Sequence, residues 1–274
     1  MNAIAFSRSA APPRASGEIR ATFAAHGSRT RVGRLYETGG LRLRFPKSAD
    51  MCEAVIVNTS GGVVGGDSAG LSFEAGAGAH VLLTTQSAEK IYRSDGAQAR
   101  IDVSLTLREN AMLDWLPQEA ILFDRANFAR KLDVDMAADA RLTLCESVVF
   151  GRLAMGETCV AGAFRDRWRV RRAGKLVFAE DTRLDGAPAA LLARPAIGAG
   201  ARALATLLLV APDAEARLED CRAALADSGC DAGASAFNGL LTARLASPSP
   251  GHLRATILSL FSRLLGRAVP RVWR

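Results

Sequence analysis

The chain has 274 residues, of which 49% are hydrophobic and 23% charged, with a formal net charge of +7. That is enough apolar material for a real core, so the chain is neither a tail nor a linker. The basic excess points to an acidic partner or to nucleic acid, and by itself says nothing about fold.

Residues 1–16 are rich in Ala, Ser, Pro and Arg without a continuous apolar stretch. They read as a disordered N-terminal tail ahead of a single domain over 17–274, with a β body to about residue 210 and a β/α segment over 211–274. The longest apolar run, around 204–210, is far short of the roughly 20 residues a membrane helix needs. No membrane contact is expected, and the chain is expected to stay in the cytoplasm.

From residue 32 to about 210 the apolar pattern has period 2. Ile101, Val103, Leu105 and Leu107 alternate with polar residues, as do Leu132, Val134 and Met136. Similar runs occupy 41–45, 54–57, 80–84, 112–116, 142–150 and 176–179. Many short strands bounded by turns predict a mainly β fold, in layered or β-helix-like sheets that the weak internal repeat does not distinguish. Between the strands, Gly61, Gly62, Gly65 and Gly66 form a bend that Asp67 closes. No lysine follows in P-loop spacing and no Gly-x-Gly-x-x-Gly opens a helix, so this is not a nucleotide cradle.

In 165–172 the period-2 rule places Arg165, Arg167, Arg169 and Arg171 on one strand face, with Trp168 and Val170 on the other. A solvated face that discourages edge pairing is the plain reading, and a protein-docking row is the second. No aromatic residue interleaves on the basic face and no recognition helix accompanies it, so nucleic acid is not the expected partner.

Two C-terminal helices follow. The first is expected from an Asp213 N-cap to Gly229, with Leu218, Cys221 and Leu225 as its buried stripe. The second is expected from a Ser249 N-cap with Pro250 at the first position to Gly266, burying Leu253, Ile257, Leu260, Phe261, Leu264 and Leu265. A strand over 240–245 lies between them, and both helices should pack on the sheets.

The five cysteines form an odd set without Cys-x-x-Cys, and His26, His80 and His252 share no ligand spacing. Neither a disulfide framework nor a tightly bound metal is expected. Two carboxylates break the alternation. Glu146 shares a face with Leu142, Leu144, Val148 and Phe150, and Glu180 shares one with Leu176 and Phe178. An inward carboxylate must be paired, protonated or set against a wet cavity. Glu180, beside the Asp185-Gly186 turn, has the further option of facing solvent.

Three stretches identify the chain better than its composition: Asn58-Thr-Ser-Gly-Gly-Val-Val-Gly-Gly-Asp67, Leu83-Thr-Thr-Gln-Ser-Ala-Glu-Lys-Ile-Tyr-Arg-Ser94 and Asp114-Trp-Leu-Pro-Gln-Glu-Ala-Ile-Leu-Phe-Asp124. With Gly151-Arg-Leu-Ala-Met-Gly-Glu157 and Pro270-Arg-Val-Trp273, they resemble the UreD (UreH) family of urease accessory proteins, from about Arg31 to Arg274. Many members carry His-Pro-Pro before the first glycine pair, where this chain has Asn58-Thr59-Ser60. Nickel ligation by an imidazole there is not open to it.

The resemblance implies a non-enzymatic scaffold or metallochaperone. Such a protein would bind urease apoprotein and UreF, meet UreG through the UreF-containing complex, and assist nickel insertion, with no cofactor beyond transient nickel. A polar channel is the family's suggested route, and Asp67, Thr84, Thr85, Ser87, Glu146, Glu157 and Glu180 are its candidate lining here. Carboxylates in low number hold a divalent ion loosely, which suits passage. The competing reading is a β-rich hydrolase that uses Asp114 with Glu119, or Glu157 with Asp181, as acid and base. No Gly-x-Ser-x-Gly elbow or metal-ligand cluster supports it.

Overall fold

The computed structural model describes residues 14–47, 51–226, 228–266 and 269–273. Among these, the chain forms β1 (Ser16–His26), β2 (Arg29–Thr38), β3 (Leu41–Arg44), β4 (Cys52–Asn58), β5 (Ser68–Ala75), β6 (His80–Thr85), β7 (Glu89–Ile91), β8 (Ala99–Leu107), β9 (Met112–Trp115), β10 (Ala120–Leu122), β11 (Asn127–Met136), β12 (Arg141–Phe150), β13 (Gly162–Arg172), β14 (Lys175–Gly186), α1 (Pro188–Ala193), β15 (Ala203–Val210), α2 (Leu218–Leu225), β16 (Asp231–Phe237), β17 (Leu240–Ser247) and α3 (Pro250–Leu264).

The mainly β expectation is met, and the layered and helical alternatives turn out to be one architecture. One sheet runs β14-β13-β11-β8-β5-β1-β2, and the other runs β16-β17-β15-β12-β9-β6-β4-β3 with β10 and β7 beside β12. From β4 to β13 the chain winds between the two sheets. β5, β8, β11 and β13 are parallel neighbours in one, and β4, β6, β9 and β12 in the other. Each coil stacks on the last, so that Val55 lies against Thr84, Leu82 against Asp114, and Asp114 against Thr143. The repeat lives in coil length and not in residue identity.

Period-2 alternation does the sorting. The inward residues of both sheets meet in a core that includes Ile19, Phe73, Leu105, Trp115, Leu132 and Leu144. The other face of the second sheet is also covered. Cys145, Leu207 and Leu241 pack there against Leu253, Ile257, Phe261 and Trp273. β12 is therefore buried on both faces, as a doubly covered strand must be. The C-terminal motif closes this layer. Trp273 donates its indole N–H to the Leu116 carbonyl at 3.0 Å and meets Phe261 edge-on at 5.2 Å, and Gln118 donates to the Val272 carbonyl at 2.9 Å.

Several boundaries differ from the sequence reading. Residues 1–13 of the expected tail lie outside the described residues, while Ser16 already opens β1, paired with β2 and β5. Asp213 does not cap a helix. Its carboxylate takes Arg141 at 2.6 Å and Arg217 at 3.4 Å, and a 3-10 turn over Glu215–Arg217 precedes α2. α2 ends at Leu225, short of Gly229, and Asp227 lies outside the described residues. α1 and β16 were not anticipated, because Pro188–Ala193 is a bare turn and a half and β16 is a small-residue strand without β-branched side chains. By contrast, Ser249 caps α3 by accepting from the His252 N–H at 3.3 Å, and Gly266 follows with a left-handed φ of 62°.

Candidate functional site

Three charged side chains meet between the sheets. On β11 the inward row runs Phe128, Arg130, Leu132, and on β13 it runs Phe164, Asp166, Trp168; Arg130 and Asp166 are register partners on adjacent parallel strands. Glu146 reaches them from β12 in the opposite sheet. The Arg130 guanidinium donates through Nε and Nη2 to the two Asp166 oxygens, Nε at 3.1 Å, and through Nη1 to Glu146 Oε2. Trp115 donates to Glu146 Oε1 at 2.7 Å and Trp168 to Asp166 Oδ1 at 3.1 Å.

The side chains are 7%, 3% and 12% exposed for Arg130, Glu146 and Asp166, so the cluster is almost fully buried. Burial pushes the Glu146 carboxyl up to about 7, against the pull of Arg130 and with the push of Asp166. Burial opposes the charge on Arg130, but Asp166 and Glu146 more than offset it and hold the guanidinium above its usual value.

The cluster separates two cavities. A cavity of about 360 Å³ opens between the free edges of β14 and β16 and is lined by Glu180, Thr182, Thr206, Asp231 and Arg244. On the other side lies an apolar space of about 60 Å³, bounded by Leu71, Val103 and Phe128 but also by Thr85, Glu89 and Gln118. That space shares Asn58, Thr85 and Glu89 with a third cavity of about 100 Å³, where Ser87 and Lys90 join them. Polar side chains therefore recur along a row that crosses an otherwise apolar sandwich.

The expected residues divide around this row. Glu146 lies at the junction of the first two cavities. Glu180 faces the largest one, accepting from Thr206 at 3.2 Å and Arg244 at 2.9 Å, and does not turn to solvent. Its expected face-mate Leu176 is 53% exposed, because a bulge between Val170 and Arg171 shifts the pairing there. Thr85 and Ser87 line the far end. Thr84 lines none of these cavities, since its hydroxyl is buried and donates to the Leu116 carbonyl at 2.7 Å. Asp67 closes the glycine bend as expected, accepting from the Ala15 and Val64 N–H groups at 2.7 and 2.9 Å, and touches only a small side cavity of about 30 Å³. Glu157 is tied to Arg152 at 2.8 Å on the opposite loop.

The glycine bend is fixed by its neighbours. At Gly62, φ is 143°, and a Cβ would lie 2.4 Å from the Tyr92 ring and 2.7 Å from the Lys90 carbonyl oxygen. This contact packs the first two sequence stretches together at the mouth of the third cavity. The arginine row alternates as expected. Arg165 binds Asp181 with both prongs at 2.9 and 2.7 Å, and Asp133 and Asp135 stand in register with Arg169 and Arg171. The outer face is thus a mixed-charge surface.

Sequence reasoning missed Arg130, Asp166, Glu89 and Arg244. Glu89, held by Asn58 at 3.1 and 3.2 Å, has its carboxyl raised by burial. Nothing local marks it, since β7 is three residues long. Among the described residues no three His, Cys, Asp or Glu side chains gather as a metal cluster, and the five cysteines are free. Of the carboxylate pairings considered for hydrolysis, Glu157 with Asp181 offers no carboxyl poised as an acid. A hydrogen bond from Arg152 holds Glu157 below the usual range, and one from Arg165 does the same to Asp181. Glu119 is paired with Arg254 at 3.2 Å.

A protein-family comparison matches residues 15–274 to the family described as UreD urease accessory protein. The chain is 50% identical over 260 residues to the urease accessory protein UreD of Xanthobacter autotrophicus, covering 95% of this chain and 90% of that one. It is 50% identical over 248 residues to the Beijerinckia indica UreD, covering 90% and 92%, and 47% identical over 268 residues to one from Rhodopseudomonas palustris, covering 97% and 96%.

Proposed function

The chain belongs to the UreD family of urease accessory proteins, and we propose that it serves urease maturation as a scaffold and metallochaperone, passing nickel to urease apoprotein through the space between its sheets. The observation that supports this reading is the row of cavities that Glu180, Glu146, Thr85, Glu89 and Ser87 line in turn. Spaced oxygen donors in low number give a divalent ion successive weak stops, where a His/Cys set would retain it. Asp67, Thr84 and Glu157 enter the reading as residues that hold the loops shaping the route.

UreF is the expected neighbour at one end, UreG is reached through the UreF-containing complex, and the cytoplasm is the expected setting. Nickel is cargo here and no resident cofactor is proposed. The row of Arg165, Arg167, Arg169 and Arg171 is the proposed docking face, helped by exposed apolar side chains such as Met155 and Val160.

Ala246 lines the 360 Å³ cavity and is half-buried on β17. Ala246→Trp is expected to fill part of that cavity, leave capture of urease apoprotein intact, and lower the nickel content of the matured urease. Full nickel loading through a filled cavity would overturn the reading.

A further inference from the structure

Arg130 and Glu146 are the two residues common to the linings of the 360 Å³ and 60 Å³ cavities, so their ion pair is the partition between them. We propose that Arg130 is a resident counter-charge that stops this waist from retaining a divalent cation, and that Glu146 is the partner which lets go of it when an ion passes. The inference rests on the passage reading above and adds to it a reason why a carboxylate-lined route does not become a trap.

The two halves of the cluster are held unequally. Arg130 grips Asp166 with two prongs from the neighbouring strand of the same sheet, and Trp168 adds a further bond to that carboxylate. Glu146 receives one prong, across the gap between sheets, with Trp115 on its other oxygen. A fork of two parallel bonds is stiffer than a single contact, so the contact across the gap opens first and the Arg130–Asp166 fork stays closed.

The charge balance sets what the waist can hold. With both carboxylates ionised, the single guanidinium leaves a formal charge of −1, which attracts a cation while the fixed positive charge weakens its hold. Without Arg130 the same carboxylates would carry −2 in a buried setting, a charge that protonation or a bound cation relieves, so above neutral pH nickel has the advantage over protons. Glu180 and Asp231 on one side of the waist, and Glu89 on the other, keep the flanking cavities acidic, with Arg244 as the counter-charge in the first.

The test uses the purified full chain dialysed against Ni²⁺ alone, with metal analysis of the protein. Wild type is expected to keep no stoichiometric nickel. Arg130→Met is expected to keep one ion per chain, at least about tenfold more tightly than wild type, and Arg130→Met combined with Glu146→Gln is expected to lose it. Arg130→Lys, whose point charge cannot bridge both carboxylates, should fall between and carries the test if Arg130→Met does not fold. A folded Arg130 variant that retains no more nickel than wild type overturns the inference. If Ala246→Trp blocks delivery while the Arg130 variants retain nothing, only this inference falls; if Ala246→Trp leaves delivery unchanged, the passage reading falls.

Discussion

Glu146→Gln and Arg130→Met remove opposite charges from one buried cluster and are expected to move stability in opposite directions at pH 8. Arg130→Met leaves two carboxylates, 3% and 12% exposed, without their cation. Breaking a buried pair in this way costs about 3–5 kcal/mol. Glu146→Gln instead leaves the neutral Arg130–Asp166 pair. Because the folded Glu146 carboxyl is raised from 4.5 to about 7, its protonated form is the one the fold favours. That contribution is fully present below pH 4.5 and is lost as pH rises through 7. A displacement of roughly 2.5 units is worth about 3 kcal/mol at most. At pH 5 the glutamine must turn its NH2 toward Arg130 or Trp115, both donors, and should cost about 1 kcal/mol. At pH 8 loss of the charge offsets this, and the variant should be ahead of wild type by up to about 2 kcal/mol. Urea unfolding followed by tryptophan fluorescence at both pH values reads this directly, provided the denaturant slope is unchanged. A Glu146→Gln chain less stable than wild type by more than about 1 kcal/mol at pH 8 would mean that the ionised carboxylate is the stabilising form, and the charge argument would fail.

The glycine bend separates backbone strain from steric blockage. Gly61→Ala, at a φ of 77° with nothing within 4 Å, should cost about 1 kcal/mol, whereas Gly62→Ala drives a Cβ into Tyr92 and the Lys90 carbonyl and should cost at least about 3 kcal/mol. Thermal unfolding of the two variants checks the order, and equal losses would remove the contact from the explanation. On the outer face, Arg165→Ala with Arg171→Ala touches two exposed side chains, so the melting temperature should hold while capture of urease apoprotein weakens and loses part of its salt sensitivity. Unchanged capture would leave the row as a solvated face.

Much of the fold was legible because alternation is a local property. The 101–107 and 132–136 runs emerged as β8 and β11 with their inward residues as read. The β-helix-like coil was one of two arrangements open to the sequence, and the choice was not legible, since Thr84 stacked on Val55, and Thr143 on Asp114, share no residue type. Asp213 failed as a cap because Arg141, 72 positions away, competes for its carboxylate. At the site, the rule that marked Glu146 marks Arg130 and Asp166 equally well: Phe128-x-Arg130-x-Leu132 and Phe164-x-Asp166-x-Trp168 each place one charge in an apolar row. The arginines of the outer face drew the reading of 165–172 to that side of the strand, and Asp166 on the inner side went unremarked. Glu89 and Arg244 had no such signal, and only the stacking of coils and the closing β16–β17 hairpin bring them to the cavities.

The odd carboxylate is what ties this cluster to the proposed passage. A matched Arg–Asp pair between sheets could be replaced by apolar side chains of similar volume with little loss or a gain, so its burial alone says little about why it is there. A second carboxylate makes the cluster worse for stability above neutral pH, and Trp115 spends its only donor on it. Glu146 comes from the sheet opposite Arg130 and Asp166, at the point where two cavities meet. An apolar residue at 146 would serve the core better; a carboxylate there is what the proposed passage of an ion from one cavity to the next would use.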